Sequence, residues 1–209
     1  MKILLADDHA VMRGGLKLIL SEVYKQATFG EAEDCRQALQ KVLAEPWDLV
    51  ILDLSMPGRG GLDVLKEIQL QRPKIPVLVL SMYAERQFAV RAFRAGAVGY
   101  LTKASASTEL QRAVERVLAG GRYVSSVLAE QLASELGGSG TGVLHERLSE
   151  REFQILRLIA SGKTVKEMAA ELSLSGNTIS TYRARILEKM KMHTNAELTH
   201  YAIFNKLVE

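Results

Sequence analysis

Five short runs of strand-forming residues, each followed by a stretch with helical spacing, constrain this chain more than any other feature. The runs are read as strands at residues 2–7, 28–33, 49–53, 76–81 and 97–102. The helices between and after them are read at about 11–23, 35–44, 61–71, 85–95 and 106–119. Leu16, Leu20 and Val23 give the first helix an apolar face. Leu62, Leu65, Ile68 and Leu70 do so for the third, and Leu110, Val114, Val117 and Leu118 for the fifth. Short, nearly all-apolar runs such as Leu49-Val50-Ile51-Leu52 read as strands buried on both faces. Strict alternation of this kind predicts an α/β domain with a doubly wound, five-stranded parallel sheet.

Four of the runs end in residues that carry chemistry. Asp7 and Asp8 follow the first, Asp53 the third, Ser81 the fourth and Lys103 the fifth. In an open parallel sheet, ligands gather beyond the carboxyl ends of the strands. Three carboxylates, a hydroxyl and an ammonium therefore converge on one edge, a site for a hard cation and a phosphoryl group. Magnesium takes oxygen ligands and uses only one or two protein carboxylates. Asp8 and Asp53 can supply these, Asp7 can hold a metal-bound water, and the Ser55 backbone carbonyl is a further candidate. An exposed carboxylate beside a metal can act as a nucleophile and form an acyl phosphate. Taken singly, Asp7-Asp8 reads as a helix cap, Ser81 as a loop hydroxyl and Lys103 as a surface lysine. Their joint placement at the strand ends is what points to function.

Residues 1–119 resemble the receiver domain of two-component response regulators. The resemblance rests on Asp7-Asp8, on Asp53-Leu54-Ser55-Met56-Pro57-Gly58 and Gly61, on Ser81, on Ala95-Gly96-Ala97, and on Gly99-Tyr100-Leu101-Thr102-Lys103. It implies that Asp53 accepts a phosphoryl group from a phosphohistidine on a sensor histidine kinase, with Mg2+ as cofactor. It also implies that Ser81 and Tyr100 form the pair that switches with phosphorylation. One departure is Ala104 after Lys103, where many receivers carry proline.

Gly120-Gly121 ends the fifth helix. Tyr123 to Leu136 reads as a short further helix, and Gly137-Gly138-Ser139-Gly140-Thr141-Gly142 as a flexible linker. The domains so divided are 1–120, a linker at 121–147, and 148–209. The last is helical only, with helices at about 150–160, 164–172, 177–191 and 195–206. Ser149 and Glu152 form a capping-box pattern. Ala169, small enough for a helix crossing, the short turn Ser173-Leu174-Ser175-Gly176 and the helix after it follow the logic of a helix-turn-helix. That second helix has Ile179, Tyr182, Ile186, Leu187 and Met190 on its inner side. It carries Arg183, Arg185, Lys189 and Lys191 against Glu188. Such a local basic excess suits phosphate contacts with DNA.

Residues 148 to about 207 resemble the LuxR-type DNA-binding domain. The matching stretches are Leu148-Ser149-Glu150-Arg151-Glu152, Ile159-Ala160-Ser161-Gly162-Lys163-Thr164, Glu167-Met168-Ala169, Leu172-Ser173-Leu174-Ser175 and Thr178-Ile179-Ser180-Thr181-Tyr182. With the receiver, the order is that of the NarL/FixJ response regulators. The resemblance makes 177–191 the recognition helix, with Asn177 and Thr178 at its start among the DNA-binding residues. Ser180, Thr181 and Ala184 would face base edges, and Arg183, Arg185 and Lys189 would touch phosphates of double-stranded promoter DNA. It makes the last helix, 195–205, a pairing element for a homodimer formed on phosphorylation; Leu198, Tyr201 and Ala202 either form that seam or pack within their own domain.

The remaining composition bounds the alternatives. The net charge is only +3, so whole-chain charge says little about partners. A single cysteine, Cys35, excludes an internal disulfide and fits a reducing compartment. No apolar run approaches the ~20 residues of a membrane helix, so the expectation is a cytoplasmic protein without a membrane partner. It is expected not to be an enzyme. An aspartyl phosphatase of the haloacid-dehalogenase type would place a second aspartate where Ser55 stands. A degenerate receiver serving as a scaffold would lack one of the acids or the lysine, and all are present.

Overall fold

The computed structural model describes residues 1–56, 60–82, 85–125, 129, 144–205 and 207–208. Pro57, Gly58 and the glycine-rich stretch 137–142 lie outside them. The chain forms two compact units, Met1–Ser139 and Gly140–Glu209.

The first unit alternates β1 (Lys2–Ala6), α1 (Ala10–Val23), β2 (Thr28–Ala32), α2 (Cys35–Ala44), β3 (Leu49–Asp53), α3 (Gly61–Gln71), β4 (Val77–Ser81), α4 (Glu85–Arg94), β5 (Gly99–Thr102) and α5 (Ala106–Leu118). All strand pairs are parallel, in the order β2-β1-β3-β4-β5. Side chains alternate across each strand. Ile3, Leu5, Leu49, Ile51, Leu78, Leu80 and Leu101 turn to the face packed by Leu16 and Leu20 of α1 and Leu110, Val114 and Val117 of α5. The intervening residues, among them Leu4, Val50, Leu52, Val79 and Tyr100, turn to the opposite face, where α2, α3 and α4 pack. The expected doubly wound sheet is therefore present.

Two residues of the expected helix faces are not in the core. Leu70 is 83% exposed. At 100° per residue it stands about 80° round from Leu62, off the stripe of Leu62, Leu65 and Ile68. Val23 is 52% exposed because it is the last residue of α1, beyond the part that the sheet covers. Tyr123 does not begin a helix. It makes a parallel bridge to Gly99, so the chain runs along β5 after leaving α5. Residues 130–136 of the expected linker helix lie outside the described residues.

The second unit has a 3-10 turn (Leu144–Arg147), α6 (Glu150–Ala160), α7 (Val165–Glu171), α8 (Gly176–Met190) and α9 (Asn195–Phe204). Three of these helices start with a full capping box: Ser149/Glu152, Thr164/Glu167 and Thr194/Glu197. Phe153, Leu156, Ile179, Ile186, Met190 and Leu198 are buried in its core. Between α7 and α8 the chain turns through Ser173 at φ 53°, with the Leu174 N–H donating to Ala169 O at 2.9 Å.

Candidate functional site

The strand order reverses at β1, which lies between β2 and β3. At such a reversal the connections leave in opposite directions and open a crevice beyond the strand ends. Ala6 pairs with Leu52, so Asp7 and Asp53 leave the sheet side by side. Asp53 pairs with Leu80, and Ser81 with Thr102, which brings Ser81 and Lys103 to the same edge. The sheet thus gathers all the acids, the serine and the lysine expected from the strand ends.

Their side chains meet. Lys103 Nζ lies 2.7 Å from Asp7 Oδ2 and 2.8 Å from Asp53 Oδ2. The Lys103 N–H donates to Ser81 O at 2.7 Å, which fixes the loop that delivers the ammonium. The Ser55 N–H donates to Asp53 Oδ1 at 2.9 Å. Asp7, Asp53 and Ser81 are buried, and Asp8 is partly exposed at the mouth. His9, which the sequence reading passed over, stands at the N-cap position of α1 without a side-chain cap bond and sets its Nδ1 at 2.7 Å from Asp8 Oδ1 and 3.2 Å from Asp7 Oδ1. Burial pushes the Asp53 carboxyl above its ordinary range, against the opposing pull of Lys103 and the Ser55 N–H. Burial works against the Lys103 charge as well, but Asp53 and Asp7 outweigh it and leave the ammonium harder to deprotonate.

Three carboxylates against one ammonium leave two negative charges, the deficit that one divalent cation cancels. Ligand atoms of Asp7, Asp8, His9 and Asp53 all lie within 4.8 Å of one another, so the cluster can hold a metal ion. Gly61 is needed to shape the neighbouring loop: a Cβ there would stand 2.4 Å from Leu54 Cα. Ser81 and Tyr100 share the α4 face of the sheet, with Tyr100 fully buried.

The second constellation lies on α8. Its N-cap is Ser175, whose side chain accepts from the Thr178 N–H, while the two hydroxyls lie 2.8 Å apart. Thr178 therefore serves the cap. Asn177, Ser180, Thr181, Ala184 and Arg185 are exposed. The Ser180 and Thr181 hydroxyls donate back to Gly176 O and Asn177 O, each at 3.0 Å. That leaves the hydroxyl oxygens with lone pairs to offer on an exposed face. Arg183 Nε donates to Asn195 Oδ1 at 2.6 Å, and the Arg185 guanidinium lies 5.9 Å from the centre of the Tyr182 ring.

Residues expected at the DNA or at a dimer seam also have partners within this unit. Lys189 Nζ lies 2.7 Å from Oε2 of the buried Glu152, so this ammonium ties α8 to α6. Burial opposes the Glu152 charge, but Lys189 and the Ser149 donors overcome it and hold the carboxyl below the usual range. Leu198 and Ala202 are fully buried within their own domain and have no surface to offer a second chain. Tyr201 is half-buried, with His145 Nδ1 3.0 Å from its hydroxyl. The exposed apolar residues of α9 are instead Ile203 and Phe204.

Residues 3–115 match the family described as response regulator receiver domain, and residues 146–202 match bacterial regulatory proteins of the luxR family. The response regulator UvrY of Escherichia coli K12 is 36% identical over 202 residues, covering 96% of this chain and 93% of that one. The response regulator GacA of Pseudomonas aeruginosa is 35% identical over 210 residues, covering 100% and 98%. Among solved structures, RcsB of Salmonella enterica serovar Typhimurium, bound to the rprA promoter in the presence of phosphomimetic BeF3-, is similar at a TM-score of 0.63. It has 28% identity over 96% of this chain and 98% of that one. With the strand-end acids, the lysine and the helix-turn-helix in place, the chain belongs to the response regulators of the NarL/FixJ type, phosphorylation-controlled transcription regulators with a receiver domain and a LuxR-type DNA-binding domain.

Proposed function

We propose that Asp53 receives the phosphoryl group from a phosphohistidine of a sensor histidine kinase, and that this controls the binding of α8 to double-stranded promoter DNA. The observation that carries the reading is the Asp7–Lys103–Asp53 cluster at the sheet's reversal point. A carboxylate oxygen of Asp53 bonds to phosphorus as the P–N bond breaks. The electron pair leaves on the imidazole nitrogen, and an acyl phosphate remains. Lys103 is placed to move from Asp53 Oδ2 to a phosphoryl oxygen, and the Ser81 hydroxyl to donate to another. The carboxylates of Asp7, Asp8 and Asp53 gather in one oxygen-rich cluster that fits Mg2+; Asp7 is proposed to hold a metal-bound water, and the Ser55 carbonyl is a further proposed ligand. Bound there, Mg2+ would neutralise charge on the transferring group. Labelling with a small phosphodonor and Mg2+ should modify one site in the intact chain and none in Asp53→Asn. Undiminished labelling of that variant overturns the assignment.

On α8, Asn177, Ser180, Thr181 and Ala184 are the proposed base-edge residues. Hydroxyls that already donate to their own helix offer acceptors, which suit the amino groups of adenine and cytosine, and the Thr181 methyl suits thymine. Arg183 and Arg185 are the proposed phosphate contacts. Phosphorylation is proposed to move Ser81 and Tyr100 and to pair two chains, with Ile203 and Phe204 as the apolar seam between their DNA-binding domains. No helix among the described residues is long and apolar enough to cross a membrane, and we place the protein in the cytoplasm, where kinase domain and promoter meet.

A further inference from the structure

Arg13 is a charged residue on the buried side of α1, on one stripe with Leu16 and Leu20. It is 5% exposed. A guanidinium is costly to bury unless its donors are met, and here each nitrogen has an acceptor. Nη1 donates to the Asp7 backbone carbonyl at 2.7 Å, Nε to Glu31 Oε2 at 2.8 Å and Nη2 to Glu33 Oε1 at 2.9 Å. Helical side chains lean toward the N-terminus of their helix. A residue in the first turn of α1 therefore reaches back over His9 to the end of β1.

The Asp7 backbone is consequently held from both sides. Its N–H donates to Ala32 O of β2 at 3.0 Å, and its carbonyl accepts from Arg13. The peptide plane between Asp7 and Asp8 sets where both carboxylates point. The Asp7 side chain is then trapped by the His9 N–H at 2.8 Å and by Lys103. Glu31 and Glu33 together outweigh the single guanidinium charge, so the anchor does not repel a cation in the adjacent site.

We infer that Arg13, clamped by Glu31 and Glu33, is a positioning residue for the acidic site: it fixes the Asp7–Asp8 peptide and so sets the site's affinity for a divalent cation. This rests on Asp7 and Asp8 belonging to the metal site. Groups that orient metal ligands typically affect affinity by about 10–100-fold when removed. A purely structural role for Arg13 would change stability and leave that affinity alone.

The test uses the full chain and Mn2+, with free ion followed by its paramagnetic resonance signal and Mg2+ added in competition. Arg13→Met keeps an apolar stem and loses every donor, so affinity should fall about tenfold. Arg13→Lys keeps one donor for the Asp7 carbonyl and should fall about threefold, a partial rescue. Leu20→Ala weakens the same helix away from the site and should stay within twofold of wild type while lowering the melting temperature. Arg13→Met within twofold of wild type overturns the proposal. If that variant does not fold, Arg13→Lys within twofold does so instead. A loss in Leu20→Ala equal to that in Arg13→Met reduces Arg13 to a packing residue. Absence of Mn2+ and Mg2+ binding by the wild-type chain overturns the metal reading itself, a distinct result.

Discussion

Lys189 stands among the basic residues of α8, yet its ammonium lies 2.7 Å from a buried carboxylate. Glu152 in turn accepts from the Ser149 N–H at 2.7 Å, so one carboxylate caps α6 and braces the recognition helix. Removing Lys189 leaves that acid without its counter-ion, which costs about 1–3 kcal/mol. Lys189→Gln should therefore lower the melting temperature of the second unit and leave the salt dependence of DNA binding nearly unchanged. Arg185→Ala should lower the salt slope by about one and leave stability nearly unchanged. The Glu152 carboxyl is held below its unfolded value of about 4.3. Its contribution is therefore complete above that pH and is lost as the pH falls through the folded value. Thermal melts in acid should show a loss that Glu152→Gln, already deprived of the ion pair, does not. In the receiver, Asp8→Ala should weaken Mg2+ binding and phosphorylation while the fold survives, because it removes one of three like charges at a partly exposed mouth.

At the scale of elements, the contact between α3 and the loop after β3 leaves no room for a side chain. Gly61→Ala places a methyl 2.4 Å from Leu54 Cα, so helix or loop must shift. The expected cost is roughly 1–3 kcal/mol, with a lower phosphorylation rate because Ser55, which donates to Asp53, is on that loop. Denaturant melts and the rate of labelling at saturating Mg2+ check both parts. For α8, Thr181→Ala should change preference among DNA sequences with little change in salt slope. Arg183→Ala should weaken binding to all sequences alike, and it also frees Asn195 at the start of α9. The opposite pattern means that the helix is presented to the groove by another face.

At the scale of the whole molecule, the chain is two units with separate cores. The second begins before Ser149: Leu148 is buried and His145 meets Tyr201. A segment comprising 144–209 is therefore the fragment to compare with the intact protein. If the receiver inhibits, this segment binds DNA without phosphorylation at least as tightly as the unphosphorylated chain at equal salt. If the receiver pairs two chains, the segment binds more weakly than the phosphorylated whole, because tethering raises effective concentration. We expect pairing to dominate. Tighter binding by the intact unphosphorylated chain than by the segment excludes simple inhibition.

The sequence by itself determined the five strands and five helices of the receiver, the convergence of Asp7, Asp8, Asp53, Ser81 and Lys103, and the helix-turn-helix. These follow from periodicity, from parallel-sheet geometry and from local caps, all of which act over a few residues or through one topological rule. The capping boxes at Thr164/Glu167 and Thr194/Glu197 were equally legible, since they repeat the pattern of Ser149/Glu152. Arg13 carried a signal too, as a charge on the apolar stripe of α1. Its partners did not, because Glu31 and Glu33 reach it only once β2 lies beside β1. Tertiary structure alone decided that Lys189 serves Glu152, that Leu198 and Ala202 are core while Ile203 and Phe204 are exposed, and that Tyr123 joins β5. A helical residue's periodicity tells which face it occupies, but what lies against that face is set by neighbours distant in sequence.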